Sequence, residues 1–171
     1  MSDAAYEFRG LLPLARQVGE ALKARGETVA VGESSAGGLI SAALLSVPGA
    51  SAYFLGGGVI YTQRARSRIA GISREQVEGM RSSSEPYAAL LARSARERLS
   101  ATWGLSETGA AGPEGNSYGD PAGHSCIAVA GPSERVITLR TDSADRVANM
   151  HAFAGRALEL LAEAIASTPP R

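Results

Sequence analysis

The sequence predicts an α/β protein: a three-layer α/β/α sandwich with a mixed sheet. Three observations lead there. Short apolar runs at residues 28–32, 57–61 and 103–107 alternate with helix-spaced segments, the pattern of strands joined by crossover helices. Two further apolar runs, 123–131 and 134–141, are separated only by Gly131-Pro132-Ser133, which reads as a tight hairpin and makes the sheet mixed. Amphipathic segments at both ends supply helices to cover it.

Residues 5–25 place Phe8, Leu11, Leu12, Ala15, Val18, Ala21 and Leu22 on one helical face, and Gly26 ends the helix. The first strand, 28–32, runs into Glu33-Ser34-Ser35-Ala36-Gly37-Gly38, which opens a small-residue helix reaching about Ser46. A loop containing Pro48, Gly49, Ala50 and Ser51 leads to the second strand, 57–61. A short basic helix follows over 63–70, with Arg64, Arg66 and Arg68 and a stop at Gly71. Ser73 with Gln76 has capping-box spacing and predicts another short helix over 73–80. Ser84-Glu85-Pro86 starts a longer helix that should bury Leu90, Leu91, Ala95 and Leu99. The third strand enters a second glycine-rich turn at residues 108–113, then a polar loop to Pro121. The last helix begins near Ser143 and spaces Val147, Met150, Phe153, Ala154, Ala157, Leu158, Leu161 and Ile165 helically. There is no internal repeat and no linker, so residues 1–171 read as a single domain with its core at about 8–165.

Lys+Arg and Asp+Glu number 17 each, so bulk charge points to no nucleic-acid partner. The single cysteine, Cys126, excludes an internal disulfide and a cysteine zinc cluster, and its apolar surroundings predict a buried structural thiol. No run approaches the roughly 18 apolar residues that span a bilayer, and Asp3 and Glu7 do not suit a secretion signal. The expectation is a cytoplasmic protein with no membrane partner.

Glycines and hydroxyls after a strand, facing a helix start, suit an anion, because the first helical N–H groups lack partners. The same pattern also fits a serine-capped helix packed closely on a sheet, so a purely structural role stays open. Both glycine-rich turns follow strands and should converge on one pocket beyond the strand ends. His124, at a strand start, and His151, in the last helix, read as structural, which disfavours a Ser-His-Asp hydrolase. Gly32-Glu33-Ser34-Ser35-Ala36 misses the G-x-S-x-G elbow, and neither a phosphate-loop motif nor metal-ligand spacing occurs. Lys23, the one lysine, sits near the end of the first helix as a solvated side chain. The residues alone thus give an anion pocket with candidate serines and no evident base.

Five ordered runs carry a family resemblance: Glu33-Ser34-Ser35-Ala36-Gly37-Gly38, Pro48-Gly49-Ala50-Ser51-Ala52-Tyr53-Phe54, Val59-Ile60-Tyr61, Ser84-Glu85-Pro86 and Thr108-Gly109-Ala110-Ala111-Gly112-Pro113. Together they resemble the C-terminal domain family of the competence/damage-inducible protein CinA, whose pattern is close to E-S-C-T-G-G, P-G-S-S-x-x-F, V-x-Y-S-N-x-x-K, S-E-P and T-G-I-A-G-P. The resemblance implies that family's fold and the activity of its nicotinamide-nucleotide amidohydrolases, which deamidate nicotinamide mononucleotide to nicotinate mononucleotide and ammonia. It makes Ser51 the nucleophile, Ser34 a supporting hydroxyl and Tyr61 a pocket wall, with Arg66 standing where the family has its assisting lysine. Ser35, Gly37, Gly38, Gly57, Thr108, Gly109 and Gly112 are implied around the substrate. Ser35-Ala36 replaces Cys-Thr, Ala50 the first serine of the pair, and Gly56 an arginine. Two readings follow: an amidohydrolase, or a catalytically altered member that binds a nucleotide or another small anion. A small nucleotide ligand, no cofactor, no metal and a homo-oligomer complete the expectation.

Overall fold

The computed structural model describes residues 8–170. The first helix is α1, Leu12–Arg25, preceded by a 3-10 turn over Phe8–Leu11. The predicted start at residues 5–7 lies outside the described residues. Gly26 closes α1 in the left-handed conformation (φ 62°), its N–H reaching Leu22 and Lys23 carbonyls. Strand β1, Val29–Glu33, is buried on both faces, as a central parallel strand must be. Then come α2, Leu39–Leu45; β2, Phe54–Val59; α3, Gln63–Arg68; and α4, Glu85–Arg98. The chain ends in β3, Trp103–Ala110; β4, His124–Ala130; β5, Arg135–Arg140; and α5, Arg146–Ala166.

The sheet order is β2-β1-β3-β4-β5. β1 pairs parallel with β2 and β3, whereas β4 and β5 join antiparallel, so the sheet is mixed. Helices α1, α2 and α5 bury one face through Leu22, Ile40, Leu44, Phe153, Leu158 and Leu161, against Val31, Leu105 and Ile127. Helix α4 covers the other face with Ala88, Leu91 and Ala92. The result is the predicted three-layer sandwich. One long-range bond ties its rear edge, Trp103 Nε1 donating to buried Glu27 at 2.7 Å, and the neighbouring Arg25 pairs with the same carboxylate at 3.1 Å.

Four expectations shift. β2 starts at Phe54, not Gly57, because three glycines hide the strand in the sequence; a Cβ on Gly57 would lie 2.2 Å from Ser41 Oγ, so glycine lets α2 close on this strand. The helix expected over 73–80 is one 3-10 turn, Glu75–Val77, although its capping box forms (Ser73 N–H to Gln76 at 2.9 Å, Gln76 N–H to Ser73 at 3.3 Å). Leu99 falls past the end of α4 and is 44% exposed, while Tyr87 and Ala88 take the buried positions. α5 starts at Arg146 because Asp145, rather than Ser143, caps it, accepting from Ala148 N–H at 3.0 Å.

Candidate functional site

The turn after β1 is held by two buried carboxylates. Glu33 accepts from the N–H groups of Gly38 (2.9 Å), Ile40 (3.1 Å) and Ser41 (3.0 Å), and from the Ser41 hydroxyl (2.7 Å). Glu107, reaching across from β3, accepts from Ser34 N–H (3.1 Å), Ala36 N–H (2.7 Å), the Ser35 hydroxyl and the Ser125 hydroxyl (3.0 Å). Both side chains are fully buried. Burial drives the Glu107 carboxyl above its ordinary range, opposed by those four hydrogen bonds. The free amides of α2 are therefore already satisfied by the protein itself. The anion expected at this helix start is internal.

Beyond the C-terminal ends of β1, β2 and β3 lies a pocket of about 290 Å³. Ser34, Tyr61, Arg66, Thr108 and Gly109 line it, joined by Gln63, Ser82, Ser83, Tyr87, Asn116 and Tyr118. Thr62 caps α3, its hydroxyl accepting from Ala65 N–H at 3.1 Å, and this directs Arg66 inward. Arg66 Nε is buried with no hydrogen-bond partner among the described residues. Its charge is near enough to lower the Tyr87 phenol against the larger upward push of burial. Opposite, Thr108 accepts from Ser83 N–H at 3.2 Å. A Cβ on Gly109 would meet the His124 carbonyl at 2.4 Å, so only glycine lets β4 pass this close.

The outer wall is a polar frame. Arg81 grips Asp120 with both guanidinium nitrogens, and Asn116 donates to the same carboxylate at 2.9 Å. The Arg81 bonds hold Asp120 well below the usual carboxylate range. His124 Nε2 lies 2.8 Å from the Ser83 carbonyl, and Arg81 packs over the Tyr118 ring.

Residues 11–165 match the family described as CinA C-terminal domain. The chain belongs to that family. A CinA-like protein from Nostoc sp. is 38% identical over 171 residues, covering 92% of this chain, and one from Anaeromyxobacter sp. is 42% identical over 140 residues, covering 82%. The chain spans 40% and 34% of those two relatives' own lengths. The competence/damage inducible protein CihA of Agrobacterium tumefaciens superposes with a TM-score of 0.84 at 30% identity, over 92% of this chain and 96% of that one. A CinA superfamily protein from Enterobacter cloacae gives the same score at 26% identity, covering 91% and 92%.

On this CinA-type frame the expected site residues separate into two groups. Ser34, Tyr61, Arg66, Thr108 and Gly109 come together in the pocket. Ser51 does not. It is exposed in the 3-10 turn Ala50–Ala52 that precedes β2, whereas Tyr61 follows that strand. Six strand residues, roughly 20 Å, lie between the two ends within one chain. Ser35 is buried under Glu107 and faces no ligand space. Gly37 and Gly38 shape the turn with φ of 69° and 102°, and Gly38 N–H is spent on Glu33. Gly57 packs on Ser41, and the Gly112 carbonyl accepts from Arg146, so neither lines the pocket.

The sequence reading missed Ser82, Ser83, Asn116 and Tyr118. The polar composition of 113–121 was the available signal for the last two, since a loop too polar for the core must face solvent or a ligand. Lys23 is exposed, reaching the Pro48 carbonyl at 3.3 Å. Cys126 is buried, and burial raises its thiol. Among the described residues no group of three His, Cys, Asp or Glu side chains could hold a metal ion, and no helix is long and apolar enough to cross a membrane.

Proposed function

We propose that this chain binds a pyridine nucleotide in the pocket between Ser34 and Arg66 and hydrolyses its carboxamide, turning nicotinamide mononucleotide into nicotinate mononucleotide and ammonia. One observation supports this above others: hydroxyls from both turns, Ser34 and Thr108, share a pocket with a guanidinium that has no internal partner. Arg66 takes the phosphate through charge-assisted hydrogen bonds, and the carboxamide lies against the hydroxyls. The Ser34 hydroxyl adds to the carboxamide carbon and the C–N bond breaks, releasing ammonia. Water then cleaves the ester, returning the serine and a carboxylate. Ser34 takes the part that the resemblance gave Ser51, because Ser51 stands at the other end of β2. No cofactor enters this scheme.

A second reading, binding without turnover, is favoured by the pocket's composition. Its lining holds no carboxylate, imidazole or lysine, and a guanidinium is a poor proton acceptor. Ammonia release from nicotinamide mononucleotide by the purified protein, with Ser34→Ala and Ser51→Ala in parallel, separates the readings. The amidohydrolase reading expects release that falls roughly a hundredfold or more in Ser34→Ala and persists in Ser51→Ala. Loss in Ser51→Ala alone removes Ser34 from the reaction. Calorimetric binding with no release establishes the second reading.

The proposal extends to a single domain over residues 1–171, a cytoplasmic location and a homo-oligomer. The edge strand β2, with Leu55 and Val59 exposed, gives such a contact a place. Sedimentation velocity that shows only monomer at tens of micromolar counts against the last of these.

A further inference from the structure

We infer that the pocket is one end of a longer site whose occupant is a pyrophosphate-linked dinucleotide, bound in preference to a mononucleotide. This rests on the nucleotide reading of the pocket and names its ligand class more narrowly. A wide cleft of about 1320 Å³ adjoins the pocket, and Gln63, Arg66, Ser82 and Tyr118 line both. At about 290 Å³ the pocket alone sits at the small end of ligand sites, which run from roughly 300 to 1,000 Å³. A ligand that fills it can continue into the cleft across those shared residues.

The cleft is built for negative charge. Arg64, Arg66 and Arg68 from α3 and Arg74 beyond it line the wall, and none has a side-chain hydrogen bond or ion pair within the described residues. Arg81 is already neutralised by Asp120. Four free guanidinium groups against Glu75 and Glu78 leave a surplus of two positive charges, matching a pyrophosphate diester at neutral pH. Arg64 and Arg68 stand four residues apart on α3, a like-charge spacing that costs a helix stability unless an anion bridges it. Arg66, shared by both spaces, takes the phosphate nearest the pocket. Arg64, Arg68 and Arg74 take the second.

The test is calorimetric titration at low salt with four probes: orthophosphate, inorganic pyrophosphate, nicotinamide mononucleotide and nicotinamide adenine dinucleotide. The expected result is at least tenfold tighter binding of pyrophosphate than orthophosphate and of the dinucleotide than the mononucleotide, with both ratios falling about tenfold in an Arg68→Gln/Arg74→Gln double variant. Arg16→Gln, an exposed change on α1 outside the cleft, leaves both ratios in place. Equal affinities within each pair, or ratios unmoved by the double variant, overturn the proposal. Pyrophosphate binding that survives while neither nucleotide binds sinks the nucleotide reading and the dinucleotide with it, leaving a diphosphate site only.

Discussion

The start of α2 and the basic wall of α3 are both suited to an anion, and the chain treats them in opposite ways. At α2 three backbone N–H groups converge on Glu33, and the turn before it converges on Glu107, so two carboxylates from the protein itself fill the positions. At α3 Arg64 and Arg68 are exposed and Arg66 lines the pocket with its Nε buried, and none of the three has a side-chain hydrogen-bond partner among the described residues. The difference teaches how to separate a structural anion from a ligand site. Backbone donors near a strand end are cheap to satisfy from within, because Glu33 at the end of β1 and Glu107 on the neighbouring β3 both reach them. Guanidinium groups on a solvent-facing helix have no such neighbour and keep their charge available. The first arrangement gives rigidity to the turn that presents Ser34. The second leaves positive charge available for the anion proposed above.

If the α2 anion is structural, removing it costs fold stability. Glu33→Ala leaves three N–H groups and a hydroxyl without their acceptor, the Ile40 N–H buried and the other three partly buried. At about 1–3 kcal/mol for each unsatisfied buried group, with partial relief by water, the loss should be about 3–4 kcal/mol in urea unfolding. A loss below about 1 kcal/mol would show that the amides are as well served by solvent.

Glu107 breaks the comparison in a different way, through pH. Its carboxyl is raised in the folded state by burial, so the folded protein holds that proton more tightly than the unfolded chain does. This group's contribution to stability is fully present below the unfolded carboxyl value near 4.3 and is lost as pH rises toward the folded value, with a slope of at most about 1.4 kcal/mol per pH unit. Glu107→Gln mimics the protonated form: its carbonyl still accepts from Ser34 and Ala36, and its amide donates to the Ser35 and Ser125 oxygens. The variant should lie within about 1 kcal/mol of the parent at pH 7 and lack that slope in chemical denaturation across pH 5–8. An unchanged slope would assign the pH dependence to another group.

The sequence made the architecture readable because its signals were local and redundant. Gly26 as a stop, Ser84 with Pro86 as a start and the apolar spacing of α5 each rest on several residues. β2 was misplaced because Gly56, Gly57 and Gly58 carry no hydrophobic pattern, and only its packing against Ser41 explains them. In the site, Ser34, Tyr61, Arg66, Thr108 and Gly109 were legible from the two turns and the resemblance. The role of Glu107 was not, since nothing local distinguishes a strand glutamate that reaches across the sheet from one that faces water. Ser51 lies outside the pocket, at the far end of β2 from Tyr61. That separation was readable from chain order, since Ser51 precedes β2 and Tyr61 follows it.

The smallest effect on the fold is expected at Arg66, where the comparison is sharpest. Its Nε is buried without a partner, so the side chain contributes little to holding α3 in place. Arg66→Gln should change unfolding stability by less than about 0.5 kcal/mol. Binding of nicotinamide mononucleotide should nevertheless weaken by about tenfold, roughly 1.4 kcal/mol, the scale of one charge-assisted bond to phosphate. In the parent protein that affinity should fall with added salt, since a half-exposed cation on an open pocket is screened within about 10 Å at 0.1 M, and the variant should lose part of the salt dependence. Glu33→Ala has the reverse signature, a large loss of stability with no direct contact to the ligand. A variant at Arg66 that destabilised the fold as much as it weakened binding would place this guanidinium with the internal anions of the β1 turn, as a piece of the scaffold.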